Sequence, residues 1–126
     1  MTETQRELRR LIASELNKIP GQVYHRDAPT DATYPYKVYT LERMILGERG
    51  RQDYSLCLDI WDRSGTTKNA EYIHDAAVAA LCEALLPQDK ILPYFYFDTS
   101  YPVPDPDKEL VHYQLHFIVQ VYNVEE

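Results

Sequence analysis

The chain has 126 residues, 44% of them hydrophobic, and a formal net charge of −7 from 13 basic and 20 acidic side chains. That length is near the commonest domain size and points to one domain, residues 1–126. The acidic balance argues against tight, sequence-independent nucleic-acid binding, which needs cations to release phosphate counterions; two cysteines are too few for a disulfide scaffold; and no apolar run reaches the roughly 20 residues that span a bilayer.

Glu3 to about Lys18 reads as a helix, because Leu8, Leu11, Ile12, Leu16 and Ile19 recur at three- and four-residue spacing. Thr2 or Thr4 can cap its start, Glu3 and Glu7 suit the positive end of its dipole, and Pro20-Gly21 stops it. The polar, charged stretch Met1–Arg10 does not read as a signal peptide, so a reduced, cytosolic setting during synthesis is expected. A short extended piece, Gln22–His25, precedes a loop over Asp27–Pro35. Tyr36–Leu46 and Asp53–Asp62 read as two strands joined by a turn or protruding hairpin tip at residues 47–52.

Arg63–Thr67 is a second turn, after which Thr66 or Thr67 caps a helix running to about Leu86, with an apolar stripe of Ala70, Ile73, Ala77, Leu81, Ala84 and Leu85. Pro87 ends it. Ile91–Tyr101 is an aromatic-rich strand, and Tyr101–Lys108 a proline-rich loop. The strongest signal is the last strand: Val111, Tyr113, Leu115, Phe117, Val119 and Val121 alternate with His112, Gln114, His116 and Gln120, so one face is apolar and the other largely polar. The expected architecture is α+β: a mainly antiparallel sheet of four to five strands packed by two helices, in the order α-β-β-β-α-β-β.

Residues that could carry chemistry have simpler readings. His112 and His116 would stand about 13 Å apart on a strand, too far to share a metal. Asp59 and Asp62 flank Trp61, but turn capping explains them more simply than acid/base chemistry. Asp98, Asp105, Asp107 and Glu109 lack the glycine and oxygen spacing of a calcium loop, and Gly47-x-x-Gly50 lacks the Lys-Ser/Thr of a phosphate loop. Cys57 and Cys82 are expected as small core or near-core residues. No catalytic, cofactor or metal residues emerge. The candidates left are surfaces: the mixed-charge hairpin tip Glu48, Arg49, Gly50 and Arg51, and the tyrosines Tyr94, Tyr96 and Tyr101, which suit half-wet interfaces between subunits.

Several phrases together resemble the tail-completion, or tail terminator, proteins of long-tailed bacteriophages and prophages. They are Val23-Tyr24 after the first helix, Ala28-Pro29, Tyr34-Pro35-Tyr36-Lys37-Val38, Leu58-Asp59-Ile60-Trp61-Asp62, Ala76-Ala77 with Leu81, and the alternating His112–Val121. The resemblance covers about Leu8 to Tyr122. It implies a non-enzymatic structural protein of the virion tail, assembled in the host cytoplasm. Copies would form a ring, typically a hexamer, at the head-proximal end of the tail tube, ending tube growth and joining tail to head. The implied partners are the chain itself, the tail tube protein and head–tail connector proteins, with DNA passing through the lumen unbound and no cofactor or membrane. Two other readings stand beside it: a head-completion or neck protein on the portal side, and a small ligand-binding module.

Overall fold

The computed structural model describes residues 3–44, 50–82 and 91–123. Helix α1 spans Glu3–Leu16, strand β1 Gln22–His25, β2 Tyr36–Arg43, β3 Arg51–Arg63, helix α2 Lys68–Cys82, β4 Ile91–Pro102 and β5 Leu110–Asn123. The element order is the one the sequence predicts. The strands form one sheet in the order β1-β2-β3-β5-β4. All neighbours are antiparallel except β1 and β2, which are parallel. At the candidate hairpin tip, β3 starts at Arg51, so Arg51 and Gln52 are strand residues paired with Tyr122 and Val121. The turn read over residues 47–52 is therefore shorter by these two, because cross-strand pairing with β5 outweighs their polar character.

Period two divides the sheet into an inner and an outer face. On the inner face, Tyr39, Leu58 and Leu115 pair across β2, β3 and β5, and Leu41, Leu56, Phe117 and Phe97 form the next row. Both helices pack on this face. Leu8, Ile12 and Leu16 of α1 and Ala70, Ile73, Ala77 and Leu81 of α2 join the strand residues in one buried cluster. The alanines let the axis of α2 approach the strands closely. Hydrophobic burial of this kind, about 1.5–3 kcal/mol for each large side chain, is the main stabilising term. Cys82 packs against the cluster, as expected for a near-core residue. Cys57 departs from that expectation: its place in β3 puts it on the outer face, half-buried.

One inner-face position is a lysine. Lys37 is fully buried, and its Nζ donates to the carbonyls of Ile19 (3.2 Å), Pro20 (2.8 Å) and Gly21 (2.6 Å). The end of a helix leaves carbonyls without intrahelical partners. Here α1 tightens through Lys18 N to Glu15 O and Ile19 N to Leu16 O, and the lysine serves the carbonyls beyond. Gly21 takes a φ of +98°, which reverses the chain into β1.

Strand β4 carries a bulge between Phe97 and Thr99, where Asp98 is the extra residue. A bulge shifts alternation by one. Before it, Tyr94 and Tyr96 point to the outer face; after it, Tyr101 does so as well, opposite Gln114.

Candidate functional site

No described helix covers the outer face. The loop after β1 borders it at Arg26–Ala28, closing one side of a shallow hollow of about 360 Å³ over Tyr36, Trp61 and His112. A row of rings crosses four strands at that level. Tyr24 of β1 meets Tyr36 of β2 edge-on at 6.0 Å, Tyr36 stacks near Trp61 of β3 at 6.3 Å, and Trp61 stacks on His112 of β5 at 3.8 Å between centroids. Tyr34, in the loop before β2, adds a fifth ring 5.2 Å from Tyr36. The row follows from register: Tyr36 pairs with Trp61, and Trp61 with His112. Burial, with Tyr34 and Tyr24 beside it, pushes the Tyr36 hydroxyl above its ordinary pKa.

The next row is polar and closed on itself. His112 Nε2 lies 2.7 Å from Asp59 Oδ1, and Gln114 Nε2 donates to the same oxygen at 2.9 Å. Gln114 Oε1 accepts from the Tyr101 hydroxyl at 2.6 Å, and His116 Nε2 lies 3.0 Å from that same oxygen. Cys57, beside this row, has its thiol pushed up to about 11, first by burial and then by Asp59 and Glu42. A thiol so held is a poor nucleophile at neutral pH. Among the described residues no buried side-chain polar atom lacks a hydrogen-bond partner, and no group of three His, Cys, Asp or Glu side chains could hold a metal ion. The network's chemistry is that of a rigid, half-wet contact surface.

The sequence-predicted interface residues fall in three places. Glu48 and Arg49 lie outside the described residues. Gly50, with a φ of +80°, precedes β3, and Arg51 opens it, its guanidinium gripping Asp53 at 2.9 and 3.2 Å. Tyr94, Tyr96 and Tyr101 stand together on the outer face; Tyr96 is 51% and Tyr101 44% exposed, and Tyr94 meets Tyr122 edge-on at 5.8 Å. Sequence alone does not join Trp61 to His112 or Asp59 to Gln114, pairs that are each more than fifty residues apart along the chain. Their shared parity on two strong strands was the available signal. Asp62 does bind its turn, accepting from Ser64 Oγ at 2.8 Å. The acidic loop is ordered by turns of its own: Asp105 and Asp107 accept from the Asp107 and Glu109 amides, and Arg63 donates to Asp107 at 2.6 Å. The Glu109 amide and Arg63 hold the Asp107 carboxyl below its ordinary range.

This architecture, two helices on one face of a five-stranded sheet, has known counterparts. A profile of the Tail completion protein gp17 family matches residues 8–122. The chain belongs to that family. As a tail completion protein it is a structural component of a phage-type virion tail. A solved chain titled "Virion of native gene transfer agent (GTA) particle" shares the fold of this tail completion chain, with a TM-score of 0.67 at 14% identity over 88% of this chain and 84% of that chain. No curated protein matches in sequence.

Proposed function

We propose that this tail completion protein is a tail terminator subunit. Copies form a ring, hexameric as in the resemblance above, at the head-proximal end of the tail tube, where the ring ends tube growth and joins the tail to the head. Its partners are other copies of itself, the tail tube protein and head–tail connector proteins. DNA passes through the lumen without specific binding, and the protein catalyses no reaction.

The observation that carries this reading is the family match over residues 8–122. The structure is compatible in two respects. A sheet face that no described helix covers, with exposed tyrosines, offers a broad surface for contact. The net charge of −7 disfavours adhesion to the phosphate backbone of DNA in transit. Gold labelling of an affinity-tagged copy in assembled particles tests the placement. Label confined to the head-proximal tail end supports the reading; label along the tube, at the distal tip or on tail-less heads contradicts it.

A further inference from the structure

The arginines of this acidic chain are unevenly placed. Arg6, Arg9 and Arg10 of α1 surround a hollow of about 290 Å³ that is completed by Ala13, His25 and Tyr39, with no carboxylate in its lining. Arg26 follows immediately after β1. Arg10 pairs with Glu7 at 2.9 Å but remains largely exposed, and Arg9 meets His25 Nδ1 at 3.3 Å. The positive field registers on His25, whose pKa is lowered by burial first and then by Arg9 and Arg26.

Exposed carboxylates outnumber the cations Lys68 and Lys108 toward β4 and α2. Asp98 protrudes at the β4 bulge, and Asp105 lies in the loop that follows. Glu71 and Asp75 stand exposed on α2, which is tied to β4 where His74 Nε2 meets Ser100 Oγ at 2.9 Å. Strands β1 and β4 are the two outermost strands. The arginine-lined hollow therefore borders β1 through His25, and the carboxylates gather toward β4, while the body of α1 itself packs against α2 and β4. Identical edges repel and unlike edges attract, so contact between copies is favoured head to tail, the geometry that closes into a ring when its rotation permits.

We infer that the basic α1/β1 edge of one copy docks against the acidic β4/α2 edge of the next. The occupant of the arginine-lined hollow is then a carboxylate of a second copy of this chain. This rests on the ring reading above and supplies its subunit contact.

Two charge-reversed proteins test it: Arg6→Glu with Arg10→Glu, and Asp75→Lys with Asp98→Lys. All four positions are exposed, so the fold should survive, as circular dichroism can verify. With Arg9 and Arg26, or Glu71 and Asp105, left in place, each protein alone has one neutralised edge; mixed, the two unaltered edges are complementary again. In sedimentation at low salt, each alone should self-associate at least roughly tenfold more weakly than the parent, and an equimolar mixture should regain the parent's value. Either variant associating like the parent, or no gain on mixing, overturns the inference. In a phage lacking the gene, neither variant alone should restore normal tails, whereas co-expression should. Rescue by either alone removes the edge contact and leaves the terminator reading intact. If the parent gene itself fails to restore tails, the terminator reading falls, and the sedimentation result alone decides the edge contact.

Discussion

Lys37 Nζ donates to the Gly21 carbonyl at 2.6 Å, fixing the turn after α1 to the inner face of β2. With the Pro20 and Ile19 carbonyls it makes three such bonds from a fully buried position. Lys37→Met keeps the aliphatic stem and removes every donor, leaving the carbonyls of the turn after α1 without this partner. We expect a loss of about 2–4 kcal/mol, measured by urea unfolding.

The same lysine gives a signed pH dependence. Burial lowers its pKa from 10.5 to about 8. Between pH 8 and 10.5 the unfolded chain holds more protons than the folded one, so this group makes stability rise with pH in that window. Cys57 acts oppositely: folded at about 11 and unfolded at 9, it makes stability fall between those values. Stability should therefore rise with pH above 8, with Cys57 opposing the rise above pH 9. Calorimetry should show the rise lost in Lys37→Met and continuing past pH 9 in Cys57→Ser.

Gly21 and Gly65 both have positive φ, but their surroundings differ. A Cβ on Gly21 would meet the Pro35 carbonyl oxygen at 2.9 Å, whereas one on Gly65 meets nothing within 4 Å. Gly65→Ala should cost about 1 kcal/mol from backbone strain alone, and Gly21→Ala about 2–4 kcal/mol, since backbone must also move. Equal shifts in the urea midpoints would refute the account of the close approach.

Trp61 is the single tryptophan, so intrinsic fluorescence reads its stack on His112. His112→Ala uncovers one face of the indole. Emission should shift to the red while the far-ultraviolet dichroism stays unchanged; an unaltered emission maximum would mean that the stack does not persist in solution.

Much of this fold can be read from the chain because its signals are periodic. The β5 alternation from Val111 to Val121 names the core face directly, and the stripe from Leu8 to Ile19 names the buried side of α1. Lys37 was also visible in principle: it shares parity with Tyr39 and Leu41, but its partners lie on a turn that no local pattern links to β2. The bulge at Asp98 hides the common face of Tyr94, Tyr96 and Tyr101, since strict alternation would set Tyr101 against the other two. The ring row from Tyr24 to His112 depends on sheet order and register, which follow from long-range packing. The parallel pairing of β1 likewise reflects the path of the loop over residues 26–35, for which the sequence offers turn residues but no direction.

The central claim, that this protein ends tube growth at the head-proximal end of the tail, is tested most directly by tail length. Electron micrographs of particles made without the gene should show filled heads separate from tails, with tails longer than those of the parent. Tails of normal length beside filled or leaking heads would contradict termination and point to the neck, and intact infectious particles would remove the protein from tail completion altogether.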